Sequence, residues 1–302
     1  MANYLDPKND LIFKRIFGEH PDLLISFLNA LMPLEKDRVI TSLEYLQAEQ
    51  VPDNPLKKDS IVDVKCKDNK GRIFIVEMQM VWSISFRNRL LFNAGKAYVK
   101  QLKSGDKYES LQPVYSLAIL NENFDHDTED YYHHFKLGNV KNQGEILPGL
   151  EFVLVELIKF KPQTYTERKM AILWLRFLKE VGENMKSLPE EMRDNEDIYK
   201  ASELCREAAF TDAELAAYEK HWDIISCEKT RISDAENKGK VEGRVEGRVE
   251  GRVEGREEGK IEEKIQVTIN AHKMGMSIDD IVKLTGLTPE QITEILKREK
   301  LL

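Results

Sequence analysis

Hydrophobic and polar residues alternate along two neighbouring stretches, Ser60 to Lys67 and Arg72 to Gln79, separated by Asp68-Asn69-Lys70-Gly71. Alternation rich in β-branched and aromatic residues predicts two strands, and the Gly-closed segment predicts the turn of a hairpin. Side chains on a strand point alternately to opposite faces, so Asp63 belongs with Ile61 and Lys65, and Glu77 with Ile73, Ile75 and Gln79. A three-residue loop, Asn69-Lys70-Gly71, with its glycine left-handed, sets Asp68 opposite Arg72. Carried along the ladder, this register brings Asp63 opposite Glu77, with Gln79 one step further on the same face. Val62, Val64, Phe74, Val76 and Met78 are expected on the other face. Apolar residues on both faces indicate strands covered on both sides, as in α/β folds. Two carboxylates within cross-strand reach in such a setting are costly unless they share a cation, so the pair is a candidate metal site. A single acid in a strand is usually solvent-facing, so the motif counts only in its setting.

Further along, apolar spacing predicts a helix from Asp22 to Leu31, closed by Met32-Pro33. Val39 to Gln50 alternates as a strand, and Val51 to Pro55 is a loop. An amphipathic helix is expected from about Phe86 to Lys103, carrying Arg87, Arg89, Lys96 and Lys100, with Leu90, Leu91, Ala94 and Tyr98 for packing. Strands follow at Val114 to Leu120 and Glu151 to Phe160. Helices are then expected at Thr166 to Lys186, Ile198 to Phe210 and Asp212 to about Ile232, the last opened by the capping signature Thr211-Asp212-Ala213-Glu214. Met170, Ile172, Leu173, Leu175 and Phe177 read as core.

The strand–hairpin–strand bearing Asp63, Glu77 and Gln79 resembles the core of the PD-(D/E)XK nuclease superfamily. The flanking segments are similar to the Rpn family, recombination-promoting nucleases also described as transposases. Three pieces carry the likeness, in order over the first half of the chain: Asp6-Pro7-Lys8-Asn9-Asp10-Leu11-Ile12-Phe13-Lys14-Arg15-Ile16-Phe17-Gly18; Glu77-Met78-Gln79 followed by Arg89 and Tyr98; and Gln101 to Tyr108 running into Pro113 to Leu120. The resemblance implies an α/β fold, a restriction-endonuclease-like mixed sheet flanked by helices, here with an all-helical C-terminal extension. It implies a DNA endonuclease associated with recombination and mobile elements, with Asp63 and Glu77 holding Mg²⁺ or another divalent cation and no small-molecule cofactor. Gln79 stands where the wider superfamily usually has Lys; an amide orients water or a phosphate oxygen but carries no charge. The resemblance implies that Gln is common there in Rpn proteins. Lys14, Arg89 and Tyr98 are candidates for phosphate contact or site support, and Asp10 for an additional acid.

Val241-Glu242-Gly243-Arg244 is repeated four times without change, then degenerates into Glu257 to Lys264. A tetrad outruns the 3.6-residue turn, so each residue type forms a drifting stripe. Like charges fall at i,i+4 and opposite charges do not, and each interior Gly costs about 1 kcal/mol against Ala. A self-associating helix and a flexible low-complexity linker both remain open. Past it, Ser277 to Leu284, Thr285-Gly286-Leu287 and Thr288 to Leu296 form two capped helices around a turn. Glu290 and Glu294 make the second a poor groove reader, which favours a small interaction motif over DNA readout. The expected division is a core at 1–162, a helical extension at 163–232, the repeat at 233–270 and the tail at 271–302.

The 302 residues carry a net charge of −8, which argues against indiscriminate nucleic-acid binding. Locally the balance reverses: Lys57 to Lys107 holds twelve Lys or Arg against five acids, 12 − 5 = +7, a basic rim suited to a phosphodiester substrate. No apolar run approaches about 20 residues and no basic-then-apolar leader opens the chain, so neither a membrane span nor a signal peptide is expected. Cys66, Cys205 and Cys227 lack paired spacing, consistent with reduced thiols in the cytoplasm. The histidines do not cluster at ligand spacing; His126, His133 and His134 are expected at the surface. DNA is the expected partner, and the chain is expected to form a homo-oligomer. Two rivals remain: a nuclease fold that only binds DNA or protein, and a scaffold assembled by the repeat.

Overall fold

A computed structural model describes residues 4–49, 61–142, 144–162 and 169–302. The loop at Val51 to Pro55 and the start of the helix expected at Thr166 lie outside the described residues. Among those described, six strands form one mixed sheet: β1 (Leu43–Tyr45), β2 (Val64–Asp68), β3 (Ile73–Gln79), β4 (Val114–Leu120), β5 (Tyr132–Gly138) and β6 (Ile146–Glu156). Their order across the sheet is β1-β2-β3-β4-β6-β5. The central neighbours β3, β4 and β6 run parallel, while β1, β2 and β5 are antiparallel to theirs. Every residue of β4 is buried, as expected for a parallel strand covered on both faces.

The helices are α1 (Asp10–Glu19), α2 (Pro21–Leu31), α3 (Ile84–Val99), α4 (Lys169–Glu180), α5 (Glu190–Arg193), α6 (Glu196–Leu204), α7 (Asp212–Lys273), α8 (Ile278–Thr285) and α9 (Pro289–Arg298). Cα packing divides the chain into two units, Met1–Lys229 and Thr230–Leu302, with the division falling inside α7. In the first, α1, α2, α4 and α6 cover one face of the sheet, and Phe17, Phe27 and Trp174 meet there at ring-centroid distances of 4.4 to 5.5 Å. Phe86, Leu90, Ala94 and Ala97, at helical spacing, lay α3 on the opposite face over Ile73, Ile75 and Leu154. In the second unit, Ile281, Ile292 and Leu296 close a small core with Ala271. Ser277 caps α8, Gly286 ends it at φ +68°, and Thr288 with Gln291 forms the capping box of α9.

Several expectations change. The strand expected over Val39 to Gln50 shrinks to β1, preceded by a short 3₁₀ turn; past Tyr45 the pairing continues only as single contacts, the Leu46 N–H to the Lys65 carbonyl at 2.8 Å, the Val62 N–H to the Ala48 carbonyl at 3.3 Å and an isolated bridge between Glu49 and Ile61. β5 was not expected at all. It is an edge strand with a polar, exposed composition and no strong alternation. The strand placed at Glu151 to Phe160 begins earlier, at Ile146, and stops at Glu156. The amphipathic helix starts at Ile84 and ends at Val99, and Leu91 faces outward at 53% exposure rather than packing. The final helix of the extension does not end near Ile232 but continues through the repeat to Lys273.

Candidate active site

The hairpin is fixed by a buried ion pair. Gly71 takes φ +81°, which lets the three-residue loop close. The Asp68 carboxylate then accepts from the Arg72 backbone at 2.8 Å and from its guanidinium at 2.7 Å, with both residues under 5% exposed. The Asp68 N–H donates to the Arg72 carbonyl at 3.0 Å. From that closure the register runs Lys67↔Ile73, Lys65↔Ile75 and Val64↔Val76 and ends there; Asp63 and Glu77 are the next positions on the two segments, without a ladder pair between them.

At Asp63 the ladder opens. β2 begins one residue later, and the chain bends so that Val62 packs under α3 while Val64 faces the α1 and α2 side. This corrects the expectation that Val62 and Val64 share a face and that the strand already runs through Val62 and Asp63; its expected start at Ser60 lies outside the described residues. The cause is local: an Asp63 carboxylate oxygen accepts the Met78 N–H at 2.7 Å, so a side chain stands in for a ladder carbonyl. One Asp63 oxygen is thereby fixed against β3. Glu77 lies on the α3 face, 4% exposed, and accepts from the Asn93 amide at 3.1 Å. Burial is the main reason both acids hold their protons more tightly than usual. It raises Asp63 to about 6, against the lowering effect of the Met78 N–H. Burial likewise raises Glu77 to about 7, countered by Asn93 and reinforced by the negative charge of Asp63.

Around this pair the expected residues fall into three groups. Gln79 and Arg89 join it: the Gln79 amide donates to the Val81 carbonyl at 2.6 Å and its oxygen accepts from Arg89 at 2.8 Å. The Arg89 guanidinium in turn lies 3.8 Å from Glu77. Asp10 and Lys14 flank it from α1. They pair with each other at 2.8 Å, and Asp10 raises while Lys14 lowers the Asp63 proton affinity. Tyr98 does not join. Nine residues beyond Arg89, about 13 Å along the helix axis, it packs with the α3-side core and would meet a Cβ added at Gly149. Gly149 precedes Leu150, which pairs with Val114 at the far end of β4 from Ala118, the partner of Glu77.

The opening segment anchors the floor of the site. Asp6 N–H donates to the Tyr218 hydroxyl at 3.1 Å, Lys8 Nζ to the Leu178 carbonyl at 3.0 Å, and the buried Asn9 amide to the Tyr218 carbonyl at 3.2 Å. Asn9 also caps α1, so the segment around Asp10 ties α1 to α4 and to the start of α7. Two residues escaped the sequence. Asn93 was hidden among packing positions, although a buried polar residue within the Phe86, Leu90, Ala94 and Ala97 stripe was a usable signal. His221 on α7 feels both Asp10 and Lys14, is held below its ordinary basicity mainly by burial, and keeps a buried Nε2 without a partner among the described residues. The histidines expected at the surface include one correction: His133 is half-buried, with Nε2 2.9 Å from the fully buried Glu156.

The donor set suits a hard cation: carboxylate oxygens, raised in proton affinity chiefly by burial, beside a buried polar atom. That atom is Asn93 Oδ1, buried and without a partner among the described residues, on the side chain whose Nδ2 donates to Glu77. Among the described residues no group of three or more His, Cys, Asp or Glu side chains is placed to hold a metal, so the site rests on two acids. A family model described as PD-(D/E)XK nuclease family transposase matches residues 7–235. No curated protein and no solved structure matches the chain.

Proposed function

We propose, since the chain belongs to the PD-(D/E)XK nuclease family transposases, that it is a divalent-metal-dependent DNA endonuclease acting in DNA recombination. The observation that carries this is the neighbouring Asp63 and Glu77, both raised in proton affinity by burial and each raised further by a nearby acid. Asp63 and Glu77 would hold Mg²⁺ or another divalent ion, with Asn93 Oδ1 free to accept a hydrogen bond from water at the site. Such an ion polarises a scissile phosphate and lowers the pKa of an attacking water.

The remaining roles follow from the side chains. Gln79 adds no charge, but its amide fixes Arg89, so a guanidinium occupies the neighbourhood a Lys would otherwise serve. Arg89 is about half exposed and free to turn a donor toward a phosphate oxygen. Lys14 and Asp10 set the potential at Asp63 from the other side. Tyr98 supports packing under α3, away from the substrate.

Domain division at 1–162, 163–232, 233–270 and 271–302, cytoplasmic location and homo-oligomerisation belong to the same proposal. The three cysteines are free thiols, which fits a reducing compartment, and no helix of the described residues is long and apolar enough to cross a membrane. Exposed valines along the repeat favour its use in self-assembly.

Nicking of supercoiled plasmid with and without Mg²⁺ or Mn²⁺ tests the activity. Asp63→Ala and Glu77→Ala are each expected to lower the rate by about a hundredfold or more, since each removes half of the cation's ligand set. No cleavage with any divalent ion would favour a nuclease fold that only binds DNA or a partner.

A further inference from the structure

An open groove of about 320 Å³ lies beside α3, lined by Trp82, Phe124, Phe135 and Leu137 with Arg87 and Lys136 at its edge. Trp82 comes from the loop after β3, Phe124 from the loop after β4, and Phe135 from the edge strand β5. Two of these are the loops at the C-terminal ends of parallel strands, where ligands collect in open α/β sheets. Its floor includes Phe152 and Leu154 of β6. Leu154 pairs with Ala118, and Ala118 pairs with Glu77, so floor and candidate site share one level of the sheet. Two strand spacings, about 10 Å, separate them.

The rings form a continuous path. Arg89 stacks over Phe86 at 4.9 Å, and Phe86 meets Trp82 at 5.8 Å. Trp82 meets Phe124 at 5.1 Å, Phe124 meets His133 at 4.7 Å, and His133 stacks on Phe135 at 6.4 Å with planes 12° apart. Phe86 is buried, so the series links Arg89 beside Glu77 to the groove wall through the core, while its outer end reaches the sheet edge, where Phe135 is 47% exposed. The acids along the way each have a cationic neighbour: Glu156 has Lys159, Glu151 has Lys136, and Glu122, which accepts the Trp82 backbone N–H at 2.8 Å, has Lys229. Arg87 is exposed and forms no ion pair among the described residues.

We infer that this groove seats an unstacked base of single-stranded DNA whose backbone crosses the Asp63–Glu77 site, an inference that rests on the nuclease reading above. A duplex hides its base faces in its own stack, whereas a recessed aromatic wall meets only bases that are free to leave it. The roughly 10 Å from Glu77 to the groove is within reach of a neighbouring nucleotide of an extended, unstacked strand. Arg87 at the edge serves the backbone, and rings serve any base, so the preference is for strandedness rather than sequence.

Binding is measured on the full chain in EDTA, by anisotropy of labelled oligonucleotides of equal length: mixed-sequence single strand, the same strand with abasic sites throughout, and duplex. The single strand is expected to bind at least about tenfold tighter than the abasic strand, as base stacking on aromatic side chains provides. Phe135→Ser and Leu137→Ser should each bring the natural strand several-fold closer to the abasic one, and Phe135→Tyr should restore the gap. Trp82 fluorescence should be quenched by the natural strand and not by the abasic one, and Trp82→Phe should remove that quenching. Equal affinity for natural and abasic strands, or an unchanged gap in both Ser variants, overturns the inference even if plasmid nicking is intact. A fall in sedimenting mass of DNA-free protein in the Ser variants also overturns it, making the groove an interface between copies. Base-dependent binding without cleavage by any divalent ion overturns the nuclease reading and leaves the groove assignment in place.

Discussion

At the scale of single residues, the decisive fact is that two acids are buried without a full counter-charge. Glu77 has only the Asn93 amide and a guanidinium 3.8 Å away, and Asp63 has a backbone N–H. In the metal-free protein this makes both destabilising near neutral pH. Their folded values, about 6 and about 7, lie above those of an unfolded chain, so the folded state binds protons more tightly. Stability is then full at the acid end of this window and falls as pH rises from about 4 toward 7. Neutral isosteres that keep the observed hydrogen bonds, Asp63→Asn and Glu77→Gln, should raise unfolding free energy at pH 7.5 in EDTA by about 1–3 kcal/mol each. The gain should shrink toward pH 4. Denaturant melts at the two pH values decide it, and a loss of stability at pH 7.5 would contradict the electrostatic account. The same protonation competes with the cation. Divalent-ion affinity, read by calorimetry with its released protons, should weaken as pH falls through 7 to 6.

At the scale of elements, the site depends on β3 and α3 being clamped together through Gln79 and Arg89. If Gln79 acts by holding Arg89, the two substitutions are not additive. Gln79→Ala and Arg89→Ala should each slow nicking, and the double variant should be no slower than Arg89→Ala alone. A double variant slower by the product of the two effects would instead put Gln79 on the substrate. The hairpin beneath them was legible because its register follows from one rule: a left-handed glycine closing a three-residue loop fixes the pairing from Lys67↔Ile73 to Val64↔Val76 and so brings Asp63 and Glu77 to neighbouring positions at its open end. What escaped was everything decided by tertiary context. β5 is an exposed edge strand whose sequence, Tyr132-His133-His134-Phe135-Lys136-Leu137, carries little core signal, and it forms because β6 offers it a ladder. The bend at Asp63 depends on a side chain replacing a ladder bond, which no periodicity reports. Tyr98 looked close to Arg89 in the text, yet nine residues of helix carry it to the other end of the strands. Asp68, with its guanidinium partner, is the element's weak point: Asp68→Ala leaves Arg72 buried and unpaired and should cost about 3–5 kcal/mol.

At the scale of the whole molecule, the repeat poses a physical problem that a single copy does not solve. Val-Glu-Gly-Arg within α7 places Glu and Arg two and six residues apart, so they cannot pair along their own helix, and its glycines meet nothing within 4 Å. Val241, Val245, Val249 and Val253 remain 55 to 63% exposed. Propensity alone would leave this segment poorly helical, and yet α7 runs unbroken from Asp212 to Lys273. A second copy laid against it would supply what is missing: a valine stripe to bury, glycines that allow close approach, and acidic stripes facing basic ones. Sedimentation equilibrium should therefore give a dimer or larger for the full chain and a monomer for a chain truncated after Ile232. Val245→Lys with Val249→Lys in the full chain should reproduce the monomer while keeping every element of the first unit. Association should also weaken toward 1 M salt, where screening falls to about 3 Å. Equal mass with and without the repeat would remove it from assembly, leaving its exposed valines to some other partner.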